Sequence, residues 1–150
     1  MPKGALRCIL HPSDFSSASR AAFVKAVELA RENRAELLLL HVRSGVVPVM
    51  GDGYVSPQVY DQIERSSRAA AKKQLDRLID EAKKRGVRAK GLLAEGIAHE
   101  QIVRAARSGK ADMVVMGTHG RTGMSKFFLG SVAGRVVSLA SCPVLTVRGK

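Results

Sequence analysis

Residues 113–137 read MVVMGTHGRTGMSKFFLGSVAGRVV, and their pattern sets the architecture expected for the whole chain. Met113 to Met116 form a short, continuous apolar run, which is typical of a strand buried on both faces. A polar segment with three glycines follows, and Gly130-Ser131 then opens an apolar pattern of helical period. This order of strand, glycine-rich loop and helix predicts a phosphate site, because glycine lets the backbone approach an anion and the helix start presents unpaired N–H groups.

The glycine spacing separates this loop from two common nucleotide-binding motifs. It is Gly117-x2-Gly120-x9-Gly130-Ser131, which is neither a Walker A loop nor the Rossmann Gly-x-Gly-x-x-Gly. Ser131 adds a hydroxyl donor, and Arg121 brings positive charge. The alternative is that the glycines only form a loop and that Ser131 only caps a helix. Three glycines and the serine occur together at this spacing, and the combination favours the phosphate site.

Length and composition indicate one globular domain spanning residues 1–150. The chain has 150 residues, of which 45% are hydrophobic, enough to bury a single substantial core. No apolar run approaches the roughly 20 residues of a membrane span, and the N-terminus does not resemble a signal peptide. We therefore expect a cytoplasmic protein without a membrane partner. Its two cysteines do not suggest a disulfide scaffold.

The net charge of +12 bears on the choice of partner. Residues 101–150 carry eight basic side chains and one acidic side chain, so the excess lies near the glycine loop. A basic crevice would attract an anionic ligand such as a nucleotide. Nucleic acid is an alternative, but the aromatic content of 4% and the lack of tryptophan argue against it, because single-stranded nucleic acid is bound through stacking on aromatic side chains. A basic solvated surface without a partner also remains open.

Hydrophobic periodicity predicts five strands and four helices in alternation. Strands are predicted at 5–10, 35–42, 87–94, 113–116 and 144–147, and helices at 18–34, 57–85, 97–108 and 130–140. The third helix is expected to turn Ile97 to the core, and the second to carry an apolar stripe from Val59 through Ile63 to Ala82. Residues 44–56, rich in glycine and proline, are either a lid or an interaction loop.

This alternation implies an α/β fold with an open, largely parallel sheet and helices on both faces. In such sheets the ligand lies beyond the carboxyl ends of the strands, where the strand order reverses. The first strand normally borders that point. We therefore expect Pro12, Ser13 and Asp14 to lie across from Gly117.

Five segments together resemble the universal stress protein family over nearly the whole chain. They are ILHPSDFS at 9–16, LLLLHV at 37–42, ADMVVMGTHGRTG at 111–123, GSVA at 130–133 and SCPVLTVR at 141–148. The resemblance implies a Rossmann-like, adenine nucleotide alpha hydrolase-like sheet of order 3-2-1-4-5, with two helices on each face. It also implies a regulatory role in the stress response, ATP bound with Mg²⁺ or Mn²⁺, and a homodimer formed through the C-terminal strand 144–148.

The resemblance also assigns the nucleotide contacts. Asp14 is implied to contact the adenosine portion, and Met116 to pack against the adenine ring. Ala133 stands where a hydroxyl residue often occurs in the ATP-binding members, so one phosphate hydrogen bond is missing. The complete predicted site consists of Pro12, Ser13, Asp14, Val42 and Met116 near the nucleoside, Gly117, His119, Gly120 and Arg121 along the ribose and phosphates, and Gly130, Ser131, Val132 and Ala133 at the terminal phosphates.

We expect binding rather than dedicated catalysis. Asp14 and His119 are acid/base candidates, but the sequence gives neither an orienting partner. No Gly-x-Ser-x-Gly nucleophile motif occurs. At most, slow ATP hydrolysis is expected. The alternatives are a nucleotide-free interaction module with the same fold and a basic nucleic-acid-binding protein.

Overall fold

The computed structural model describes residues 4–45, 55–119 and 129–149. Strands and helices alternate along them, as the hydrophobic periodicity predicts. The strands are β1 (Cys8–Pro12), β2 (Glu36–Arg43), β3 (Ala89–Glu95), β4 (Met113–Gly117) and β5 (Val144–Val147). The helices are α1 (Ser17–Asn33), α2 (Pro57–Lys84), α3 (Ala98–Ser108) and α4 (Ser131–Leu139).

The strands form one parallel sheet of order β3-β2-β1-β4-β5, which confirms the predicted order. Helices α1 and α2 cover one face, where Phe23 and Leu75 pack in the same buried cluster as Ile9. Helices α3 and α4 cover the other face, where Ile102 and Val136 belong to a second buried cluster. The order in which strands are added to the sheet therefore reverses between β1 and β4, which lie side by side.

The first strand lies further along the chain than the predicted span 5–10. The Asp112 carboxylate accepts hydrogen bonds from the amides of Arg7 and Cys8, at 2.8 and 3.0 Å, at the point where the strand begins. At the other end, Pro12 remains paired with β2 although proline has no N–H to donate. The pairing holds because the amide of the next residue, Ser13, donates to the Leu40 carbonyl of β2.

Three predicted core positions are wrong. Val59 and Ile63 are each 47% exposed, because α2 has 28 residues and is about 42 Å long, whereas the eight residues of β2 span about 26 Å. The first half of the helix therefore runs past the sheet. Ile97 is also exposed, because it is the residue that precedes the first turn of α3.

The buried Arg43 holds this first half of α2 against the end of β2. Its guanidinium lies 2.9 Å from the Glu64 carboxylate of the helix and 3.8 Å from the Glu95 carboxylate of β3. The predicted lid or interaction loop at 44–56 falls mostly on residues 46–54, which lie outside the described residues. None of the described helices is long and apolar enough to cross a membrane.

Candidate functional site

A cavity of about 330 Å³ opens at the carboxyl edge of the sheet, between the ends of β1 and β4. Three structural parts meet there: the loop after β1, the end of β4, and the start of α4. The volume lies at the lower end of the range usual for small-molecule sites. This is the position at which open α/β sheets bind ligands.

All the predicted site residues that fall within the described part of the chain lie around this single cavity. They are Pro12, Ser13, Asp14, Val42, Met116, Gly117, His119, Gly130, Ser131, Val132 and Ala133. Gly120 and Arg121 were also predicted, but they lie outside the described residues. The expected arrangement of Pro12, Ser13 and Asp14 across from Gly117 is therefore present.

The cavity has further wall residues that the sequence did not identify. They are Ser19, Leu40, Ala98, Ile102 and Thr118. Thr118 could have been found, since it stands between two predicted residues. Ala98 and Ile102 could not, because only the three-dimensional packing brings the start of α3 to the mouth of the cavity.

The loop after β1 is held by a series of local contacts. Asp14 accepts a hydrogen bond from the amide of Ser16 at 2.9 Å, and Ser16 in turn caps α1. Phe15 has a positive φ of 63°, which is uncommon for a bulky residue. Its ring stacks on His41 with 4.3 Å between the ring centroids, and His41 Nδ1 lies 2.7 Å from the carbonyl oxygen of Ser13. These contacts fix the backbone of this wall.

The start of α4 presents backbone amides to the cavity. Gly130 precedes the helix and donates its own N–H to the carbonyl of Thr118 at 2.7 Å. No described side chain caps this helix, whereas Ser16 and Ser56 cap α1 and α2. The amides that follow Gly130 therefore belong to the unsatisfied first turn of a helix, where the dipole favours an anion.

Part of the cavity wall is apolar. Leu40, Val42, Met116 and Ile102 contribute aliphatic or thioether surface there, and Met116 is 5% exposed. Of the described lining residues, Asp14 alone carries a formal charge. The cavity thus combines an apolar region, one carboxylate and a helix start, which suits a ligand with a planar ring at one end and an anionic group at the other.

His119 also lines the cavity. Its Nδ1 is 2.9 Å from the hydroxyl oxygen of Thr118, a buried residue of the same loop. No group of three or more histidine, cysteine, aspartate or glutamate side chains that could hold a metal occurs among the described residues. A divalent ion at this cavity would therefore need oxygen ligands from the bound molecule as well as from the protein.

Comparison with known proteins gives a consistent family match. The sequence model of the universal stress protein family matches residues 6–148. The universal stress protein YxiE of Bacillus subtilis is 35% identical over 139 residues, which cover 90% of this chain and 94% of that protein. The structure of universal stress protein UspA from Lactobacillus plantarum superposes with a TM-score of 0.81 at 26% identity, covering 97% of this chain and all of the other. A universal stress protein solved in complex with cAMP shares the fold, with a TM-score of 0.73 and 22% identity over 98% of this chain and the whole of that one.

Proposed function

The chain belongs to the universal stress protein family, and on that premise we propose that it is an ATP-binding member with a regulatory role in the stress response. The nucleotide lies between the ends of β1 and β4, with its phosphates at the start of α4. We place the protein in the cytoplasm as part of the same proposal. We expect hydrolysis to be at most slow, because the sequence contains no Gly-x-Ser-x-Gly nucleophile motif.

One observation carries the proposal. Residues chosen from four separate sequence segments line one cavity that contains an uncapped helix start. Such a helix start binds phosphate through its amides and its dipole. The apolar wall of Val42 and Met116 suits the adenine ring, because the flexible Met side chain adapts to a planar surface.

Related structures support an adenine nucleotide as the ligand. Besides the protein solved with cAMP, the fold is shared by an Archaeoglobus fulgidus protein solved with dAMP and an Arabidopsis thaliana protein solved with AMP, at 22% and 20% identity. We propose the triphosphate for this chain because the helix start can receive phosphates beyond the first. Asp14 is the described lining residue suited to share an accompanying Mg²⁺ or Mn²⁺ with the phosphates.

The amide contribution can be tested with a proline at the first position of α4. Ser131→Pro removes both an N–H and a hydroxyl, whereas Ser131→Ala removes only the hydroxyl. Proline is tolerated there because Gly130 already has an extended ψ of 156°, and α2 naturally carries Pro57 at its first position. We expect calorimetric titration with ATP and Mg²⁺ to show about tenfold weaker binding for the proline variant, a loss of about 1.4 kcal/mol, and a smaller loss for the alanine variant.

Asp14 provides the second half of this test. Asp14→Ala removes the carboxylate, whether it contacts the adenosine, as the resemblance implies, or shares a divalent ion with the phosphates, and Asp14→Asn keeps an oxygen that can accept the Ser16 amide. We expect Asp14→Ala to bind ATP more weakly at unchanged pH and salt. If Ser131→Pro and Asp14→Ala both bind ATP as the wild type does, the site assignment is wrong.

We further propose a homodimer formed through the C-terminal strand 144–148. β5 is an edge strand that pairs only with β4 among the described strands, so its outer backbone groups can receive a second strand. Leu145, Val137 and Leu139 leave apolar surface exposed beside it. Leu145→Lys should shift sedimentation equilibrium toward the monomer, and an unchanged dimer would contradict this interface.

A further inference from the structure

The two central strands separate much earlier than their neighbours do. β1 and β4 share only the register pairs Ile9–Met113 and Leu10–Val114, whereas β1 and β2 pair over five positions up to Pro12. The cavity lies just beyond the point of separation. Some feature of these strands must therefore stop the ladder there.

The direction of the peptide groups identifies that feature. The amides of Val114 and Thr118 donate to β5, so the peptide groups at alternate positions of β4, including Val115, face β1. On β1, the carbonyl of Cys8 accepts from the amide of Asp112, the residue before β4, so positions 8, 10 and 12 face the side on which β4 lies. The next β1 amide that could reach the Val115 carbonyl therefore belongs to Pro12, which has no N–H.

His11 supplies the missing donor. Its Nδ1 lies 2.8 Å from the carbonyl oxygen of Val115, and because a carbonyl only accepts, the imidazole donates. The side chain is 0% exposed and packs near Phe23, with 5.9 Å between the ring centroids. Burial lowers the pKa of His11 to about 4, which keeps the imidazole neutral near pH 7. Its Nε2 has no hydrogen-bond partner among the described atoms, so the single bond to Val115 orients the ring.

The neighbours of this bond connect it to both walls of the cavity. His11 immediately precedes Pro12, which begins one wall, and Val115 immediately precedes Met116 in the other. His11 is not among the residues that line the cavity. A change in the separation of these two backbones would therefore move both walls without removing any contact to a ligand.

We propose that His11 is a positioning residue that fixes the width of the crevice between β1 and β4 by replacing the hydrogen bond that Pro12 cannot make. The role rests on the proposed nucleotide function, but it acts on the ligand-free protein as well. It predicts that a side chain able to donate from the position of Nδ1 preserves the crevice, whereas one of similar size without a donor does not.

The test compares His11→Asn with His11→Leu. The amide nitrogen of asparagine stands close to the place of Nδ1, whereas leucine fills the space without donating. At pH 7.5, and at a temperature where near-ultraviolet circular dichroism shows all the proteins folded, we expect His11→Asn to bind ATP within about threefold of the wild type and His11→Leu to bind about tenfold more weakly. A purely structural histidine would lower the melting temperature in His11→Leu but leave the ATP affinity of the folded protein unchanged, and that result would overturn the proposal.

A second measurement needs no nucleotide. The amide nitrogen of Met116 belongs to the same peptide group as the Val115 carbonyl, so its ¹⁵N chemical shift reports the hydrogen bond directly. We expect this resonance to move in His11→Leu and to stay near its wild-type position in His11→Asn. Unchanged Met116 and Gly117 resonances in His11→Leu would refute the positioning role. If these resonances move in His11→Leu but the wild-type protein binds no ATP, the positioning role stands and the proposed function is refuted.

Discussion

Gly130, which precedes α4, and Gly134, which lies within it, should respond in opposite ways to the same substitution. A Cβ at Gly130 would lie 2.8 Å from the carbonyl oxygen of Thr118, a backbone atom that cannot rotate away. A Cβ at Gly134 would meet only a methyl group of Leu129, at 3.9 Å. Gly130→Ala and Gly134→Ala therefore form a matched pair on one helix, in which the chemical change is identical and only the surroundings differ.

The magnitude follows from the geometry at Gly130. Ordinary contact begins near 3.4 Å, so α4 or the Thr118 backbone must move by about 0.6 Å. The Gly130 amide donates to that same carbonyl at 2.7 Å, so the movement also lengthens a hydrogen bond. Overpacking of this kind costs about 1–3 kcal/mol, and the reduced entropy of the unfolded chain offsets about 0.5 kcal/mol of it. At Gly134, alanine should instead stabilise the helix by about 0.5–1 kcal/mol.

Thermal unfolding and nucleotide titration together test this reasoning. At equal protein concentration, we expect the melting temperature to fall by about 4 °C in Gly130→Ala and to rise by about 2 °C in Gly134→Ala. ATP should bind about tenfold more weakly to the Gly130 variant, because its helix start is displaced, and nearly normally to the Gly134 variant. If the melting temperatures of both variants move in the same direction, the close approach of Gly130 to Thr118 is not what limits this position.

Three further changes test other parts of the structure. Between pH 6.5 and about 4 the unfolded chain binds a proton at His11 that the folded protein does not, because burial lowers the pKa of His11 to about 4. The free energy of unfolding, measured by urea denaturation, should therefore fall by about 3 kcal/mol as the pH is lowered across this range. The decrease should be smaller in His11→Asn, which has no imidazole to protonate. Arg43→Met leaves the carboxylate of Glu64 without its 2.9 Å partner and should cost about 2 kcal/mol by the same assay, whereas adding Glu64→Gln should recover part of the loss. Asp112→Ala removes the acceptor of two backbone amides at the amino edge of the sheet and should lower the free energy of unfolding by about 1–2 kcal/mol. ATP affinity should not change, because the cavity lies at the carboxyl edge. Weaker ATP binding by this variant would contradict that separation of the two edges.

Much of the fold could be predicted because its signals are local. The apolar runs at Leu37 to Leu40 and Met113 to Met116 are too short for helices, and serines cap two of the helices that the periodicity indicates. The alternation of these elements then admits few topologies. The exposed Val59 and Ile63 were mispredicted because helical periodicity reveals which residues share a face, but not where the sheet beneath that face ends.

The site was predictable to the extent that it is made of loops at strand ends. Asp14 and Gly117 each follow a strand that the sequence identifies, so their meeting at one edge follows from the parallel order. Ile102 and Ser19 lie within helices, and no periodicity tells which turn of a helix faces a cavity. The role of His11 depends on which peptide groups face which strand, and that information exists only once the register is known.

The geometry of the crevice depends on two absent groups, the backbone N–H that proline lacks at position 12 and the Cβ that glycine lacks at position 130. Pro12 has no N–H, so the ladder between β1 and β4 cannot continue and the strands part where the cavity begins. Gly130 has no Cβ, so α4 can start within hydrogen-bond distance of Thr118 and direct its uncapped amides into the same opening. Because backbone amides can receive the anion, the described wall needs no basic side chain, and an apolar lining with Asp14 as its one charged member is consistent with a nucleotide. Substitutions that restore either missing group should therefore affect the site more than most substitutions among the side chains that line it.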